Sequence, residues 1–149
     1  MRVVRYPLAV AFALALANLA PAAPDKEKPK DEKPKQKVYE VGKDGVTIDS
    51  NLTDKDNEGG FRDNCYSKIF LVKFVKGKSY QIDMTSGNFD CYLGVRDGKN
   101  KLLAEDDDSG GGTNARLVFE APEDGVFRII TTSFNAGENG PFNLRIQEK

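Results

Sequence analysis

The run Asp106-Asp107-Asp108-Ser109-Gly110-Gly111-Gly112 sets three consecutive carboxylates before a glycine turn. Like charges on adjacent residues repel unless water or a cation screens them. A hard cation such as Ca²⁺ is held by several oxygen ligands on irregular backbone. Successive strand side chains point to opposite faces, so these carboxylates converge only if the chain turns. The glycines permit that turn. The competing reading is a solvated acidic loop whose first aspartate caps the turn. Asp90 follows Phe89 at a strand entrance. It is a further oxygen donor for the same ion, or a carboxylate bonded to turn amides. Asp54-Lys55-Asp56-Asn57-Glu58-Gly59 resembles the opening of an EF-hand loop, but Cys65 stands where that loop needs its final Glu. Asp54 and Asp56 therefore belong to a different calcium site or to an exposed acidic loop. Ca²⁺ is the one cofactor these residues imply.

Other chemistries are poorly served. The chain has no histidine. That removes the commonest general base, the Ser-His and Cys-His pairs and most zinc sites. Tryptophan is also absent, which weakens the case for a sugar-stacking platform. Tyr66, Tyr80 and Tyr92 keep that case open, either lining a ligand surface or sitting half-buried with the hydroxyl at the rim. Acidic pairs abound, but none is isolated in an apolar setting as a glycosidase acid requires. No Lys-Ser/Thr follows the glycines, so they are not a phosphate loop. A net charge of −1 gives no field for nucleic acid.

The N-terminus reads as an export signal over residues 1–22. Arg2 and Arg5 precede an apolar stretch from Leu8 to Leu16, and Ala20-Pro21-Ala22 offers small residues for cleavage before Ala23. The stretch is short for a membrane span, so no span is expected after its removal. The location expected is secreted, periplasmic or at the cell envelope. In an oxidising compartment Cys65 and Cys91 have one connectivity if they bridge, with about 3–4 kcal/mol of stabilisation. The alternative is two separate buried thiols.

Residues 23–37 carry Pro24, Pro29 and Pro34 among Lys, Asp and Glu, and read as an extended solvated spacer. Short apolar runs from residue 38 to 149 then alternate with Gly, Asp and Asn punctuation. Eight strands follow from the pattern. Val46 to Asp49 is the first. Lys68 to Val75, nearly continuously apolar, and the alternating Ser79 to Thr85 flank Gly77-Lys78 and read as a hairpin. Cys91 to Arg96 and Lys101 to Glu105 flank an Asp-Gly turn. Ala115 to Glu120, Val126 to Phe134 and the segment of Phe142, Leu144 and Ile146 complete the set. Short strands with regular turn signals specify an all-β antiparallel sandwich or barrel.

Several segments carry a family likeness in order and spacing. They include Gly77-Lys78-Ser79-Tyr80-Gln81-Ile82-Asp83-Met84, Phe89-Asp90-Cys91-Tyr92-Leu93, Leu102-Leu103-Ala104-Glu105-Asp106-Asp107-Asp108 and Gly125-Val126-Phe127-Arg128-Ile129-Ile130. Together they resemble the bacterial pre-peptidase C-terminal domain across roughly Val46 to Gln147. The resemblance implies a jelly-roll-like β-sandwich, usually found beside secreted peptidases, with relatives among calcium-dependent collagen-binding modules. This chain departs from that setting: no peptidase precedes the module, and Cys91 stands where the family often has proline. The function expected is a non-catalytic accessory or binding module that engages an extracellular protein or polymer, or assists a separate secreted enzyme. A structural envelope or matrix protein is the alternative, and a small carboxylate-based hydrolase a weaker one.

Overall fold

The structure, a computed structural model, describes residues 36–56 and 61–149. The export signal and nearly all of the spacer lie outside the described residues. Nine strands are formed among the described residues, one more than the pattern predicts: β1 (Val38–Glu40), β2 (Val46–Leu52), β3 (Ser67–Phe74), β4 (Ser79–Thr85), β5 (Cys91–Arg96), β6 (Leu102–Asp106), β7 (Ala115–Glu120), β8 (Gly125–Ser133) and β9 (Gly140–Glu148). One sheet has the order β1-β3-β8-β5-β6 and the other β2-β9-β4-β7. All pairings are antiparallel except β1 with β3.

From β2 to β9 the chain alternates between the sheets, and β5–β6 is the one consecutive pair that shares hydrogen bonds. This winding is that of a jelly roll, with β1 added at an edge. It corrects the expected hairpin of β3 with β4, which lie in opposite sheets. Residues 75–78 arch between the layers, held by Gly77 N donating to Ala121 O at 2.8 Å and Lys78 N to Val75 O at 3.2 Å. The true partner of β3 is β8, in unbroken register from Ser67↔Thr132 to Phe74↔Gly125. A turn signal marks where a strand ends; it does not mark which sheet the chain enters next. The β5–β6 hairpin does form: Asp97 Oδ1 accepts from Lys99 N at 2.9 Å and from Lys101 N at 2.8 Å.

The core lies between the sheets, where one face of each strand is apolar. Val72, Phe74, Leu93, Val95, Phe127 and Ile129 meet Ile82, Met84, Leu117, Leu144 and Ile146 across it. Phe74 stacks on Tyr80 at 4.1 Å between ring centroids. The Tyr80 hydroxyl accepts from Val75 N at 3.0 Å, so this buried tyrosine belongs to the core and not to a ligand surface. Burying each large side chain contributes about 1.5–3 kcal/mol before chain entropy is counted. The expectation that β3 is buried on both faces needs correction, because Ile69 and Leu71 are only half-buried and Lys73 is exposed.

The expected Cys65–Cys91 bridge is absent: both are free, buried thiols. Cys91 opens β5 and joins the inter-sheet core, which Cys65 does not. Cys65 leads into β3, and β8 runs between β3 and β5. Two strand spacings are about 10 Å, beyond the roughly 7 Å that a disulfide spans between Cα atoms. Burial pushes the Cys91 thiol up to about 12, so it is inert.

Candidate functional site

The acidic run closes β6 and folds back on itself. Asp106, the last residue of β6, accepts from Ser109 N at 3.1 Å, from the Ser109 hydroxyl and from Arg116 N at 2.9 Å. This carboxylate therefore ties the turn to β7. Gly111 and Gly112 adopt φ of +92° and +65°, conformations that cost glycine little. Gly110 N donates to Asn114 O at 2.8 Å. The turn foreseen from the glycines is present, and its first aspartate caps it.

Asp107 and Asp108 fall beyond that cap, and their charges reach Asp90. Burial raises the Asp90 carboxyl from its ordinary value. The charges of Asp108, Glu138 and Asp107 push it further, and Arg62 opposes them. Asp90 Oδ1 is buried with no hydrogen-bond partner, so the turn-amide reading does not describe it. Its own backbone is well tied: Asp90 N donates to Glu138 Oε2 at 3.3 Å, and Asp90 O accepts from Phe134 N at 2.8 Å. Three loops thus bring their negative charge to one end of the sandwich. Glu138 escaped the sequence reading because its loop joins Asp90 only through the β5–β8 pairing. Among the described residues no three metal-ligating side chains form a closed cluster.

Asp54 and Asp56 lie elsewhere in use. Asp56 Oδ2 accepts from Thr53 N at 2.8 Å and from the Thr53 hydroxyl at 2.7 Å, while Oδ1 pairs with Lys68 at 3.0 Å. Burial alone would raise this carboxyl, but the bonds from Thr53 and Lys68 outweigh it and leave it lowered. Asp54 is exposed and takes no part in that network. Asn57 and Glu58 lie outside the described residues.

An aromatic–arginine cluster borders the acidic end. The Arg62 guanidinium lies over Tyr92 at 4.3 Å and Phe134 at 4.6 Å, and donates to Phe134 O at 3.0 Å. Phe61 packs against Tyr92 at 5.7 Å and directly over Gly94, where a Cβ would sit 2.5 Å from the ring. Tyr92 is therefore part of a surface cluster, Tyr80 is core, and Tyr66 packs against the core. Nothing in the spacing of Phe61 and Arg62 from Tyr92 foretells this contact, because the sheet supplies it.

No family model matches the sequence, and no curated protein does. Solved structures match its fold. One is the pre-peptidase C-terminal domain of a collagenase from Bacillus anthracis, at TM-score 0.52 and 13% identity, covering 75% of this chain and 96% of that one. The fold is that of the pre-peptidase C-terminal sandwich. A second is a periplasmic inhibitor of g-type lysozyme from Aeromonas hydrophila, at TM-score 0.52 and 14% identity, covering 76% of this chain and 99% of that one. At these identities the likeness speaks for the fold.

Proposed function

We propose that this chain is an exported, non-catalytic binding or accessory module that engages an extracellular protein or polymer. The observation that carries the reading is a sandwich in which Asp106 of the acidic run is spent on a turn, with no nucleophile–base pair among the described residues. The signal-like N-terminus supports export, with cleavage before Ala23. The two similar structures, a domain of a collagenase and an inhibitor of a lysozyme, support an accessory role. Affinity capture with the mature chain from its native secretome should retain a specific partner. Hydrolysis of peptides or glycans by the purified chain, abolished by a carboxylate substitution, would sink the proposal.

Ca²⁺ is part of the proposal. Asp90, Asp107, Asp108 and Glu138 are the carboxylates that would have to close around it, since they form no ready-made cluster, and Asp106 shapes the loop that presents two of them. The ion would neutralise charges that now raise the Asp90 carboxyl, and so would stabilise the folded chain. Melting at millimolar Ca²⁺ should exceed melting in EDTA. Identical midpoints would remove the ion from the proposal and leave the module. The Pro/Lys spacer favours a second reading, a structural envelope or matrix protein held away from a surface. Stable association with cell-wall material, and none with soluble enzymes, would decide for it.

A further inference from the structure

The outer face of the β2-β9-β4-β7 sheet carries a second polar arrangement, whose wall is drawn from the loops that also carry Asp90 and the acidic run. Asp49, Asn143 and Thr85 stand in one row across β2, β9 and β4, in direct register. Neighbours in such a row are about 4.8 Å apart. The row floors an open cleft of about 470 Å³, and Ser86, Asn88 and Asn114 form its wall.

The wall is built, not incidental. Ser86 donates its hydroxyl to Pro141 O at 2.9 Å, and Asn114 Oδ1 accepts from Ser86 N at 3.2 Å. Asn88 N donates to the Ser86 hydroxyl at 3.1 Å. Gly140, at φ +137°, comes so close that a Cβ there would lie 2.8 Å from Asn88 Cβ. On the floor, Asn143 Nδ2 donates to Asp49 Oδ1 at 2.7 Å. That bond uses neither Asn143 Oδ1 nor Asp49 Oδ2, both acceptors. The Thr85 hydroxyl and the Asn88 side-chain amide make no hydrogen bond among the described residues.

The lining selects its ligand by chemistry. No Lys or Arg lines the cleft, so an anion gains nothing there, and Asp49 is its one carboxylate, too few for a hard cation. Amides and hydroxyls both donate and accept, and sugar hydroxyls do the same. An extended peptide that adds to a sheet edge pairs through backbone groups, whereas the Asp49–Asn143–Thr85 row presents side chains on the outer face of the sheet. We infer that the cleft binds a neutral oligosaccharide segment of an extracellular polymer. The inference rests on the binding-module reading and names the ligand class for this face. Phe142, the one aromatic in the lining, is buried in the core and offers no stacking face, so the affinity is that of a few exposed hydrogen bonds, in the millimolar range.

Amide-resolved NMR titration of the mature chain tests it. The probes are chitotetraose, maltotetraose, the anion tetragalacturonate and a collagen-like peptide. At least one neutral sugar should give saturable shifts confined to residues around Asp49, Thr85, Asn88 and Asn143. Asn88→Ala and Thr85→Ala should each weaken that binding about fivefold to tenfold, the worth of one hydrogen bond, with unchanged melting. Lys99→Ala, in the β5–β6 turn, should leave it unaltered. The inference is overturned by no saturable shift with either neutral sugar to tens of millimolar. Shifts at another face, binding indifferent to both substitutions, or a preference for the anion or the peptide also overturn it. If the sugars fail while affinity capture still yields a partner, the cleft inference falls and the binding-module reading stands.

Discussion

Replacing the three aspartates of the acidic run one at a time should give sharply unequal results. Asp106 accepts three hydrogen bonds, two of them from backbone amides in different elements. Asp106→Ala removes all three and frees the turn between β6 and β7. Each bond is near the surface, so about 0.5–1.5 kcal/mol applies to each. The three share one carboxylate and are not additive, which sets the loss at about 1–3 kcal/mol. For a domain near one hundred residues that lowers Tm by roughly 4–12 °C. Asp107 accepts only from its neighbour Asp108 N, and Asp108 serves chiefly as a charge near Asp90. Asp107→Ala and Asp108→Ala should therefore stay within about 0.5 kcal/mol in EDTA. Asp108→Asn should be neutral or stabilising there, because it relieves Asp90. Urea denaturation of the four variants in EDTA, fitted for midpoint and slope, measures this order. The reasoning is refuted if Asp106→Ala melts like the parent, or if Asp108→Ala is the most damaging of the set. With Ca²⁺ added, Asp108→Ala should lose the calcium-induced rise in Tm and Asp106→Ala should keep part of it.

Other perturbations have defined outcomes. Asp90 has a raised carboxyl in the folded chain, so the folded state holds its proton more tightly than the unfolded state does. Its favourable contribution is full below the unfolded pKa and is lost as pH rises through the folded pKa. Asp90→Asn should accordingly raise Tm at neutral pH in EDTA and flatten that segment of the pH–stability curve. Asp56 acts in the opposite sense: its lowered carboxyl adds stability above the unfolded pKa that is lost as pH falls through the folded one, and Asp56→Asn should remove that acid-side loss. Mass spectrometry after alkylation should find two free thiols in unfolded protein and little modification of Cys91 in native protein. Gly94→Ala should force Phe61 off the sheet, at a cost of about 1–3 kcal/mol, and change the environment of Tyr92 in near-ultraviolet circular dichroism.

Much of the fold was legible because strand alternation and turn residues are local. The pattern of Tyr80, Ile82 and Met84 names the core face of β4, and those residues are buried. Lys101 to Glu105 is displaced by one residue from β6, and the Asp-Gly turn holds. Val38–Glu40 escaped notice because three residues beside a charged spacer carry no pattern. They become a strand only by pairing in parallel with β3, Val38↔Leu71 to Glu40↔Lys73. The hairpin of β3 with β4 failed for a related reason: adjacency in sequence favours pairing, but β8 satisfies the hydrogen-bonding edge of β3, and the apolar face of β3 meets β4 across the core instead, where Phe74 stacks on Tyr80.

The acidic run shows where local information stops. Sequence determined that three carboxylates precede a flexible turn and that the first is suited to cap it, because both depend on neighbouring backbone. Tertiary structure decided the rest. It gave Asp106 to Arg116 of another strand, set Asp107 and Asp108 toward Asp90, and added Glu138 from a loop that the β5–β8 pairing carries to the same end. It also placed β8 between β3, which Cys65 precedes, and β5, which Cys91 opens, and so keeps the thiols apart. Likewise it aligned Asp49, Asn143 and Thr85 in one row although they are far apart in the chain. Charge and turn chemistry act over a few residues, whereas sheet order decides which distant side chains share an end or a face.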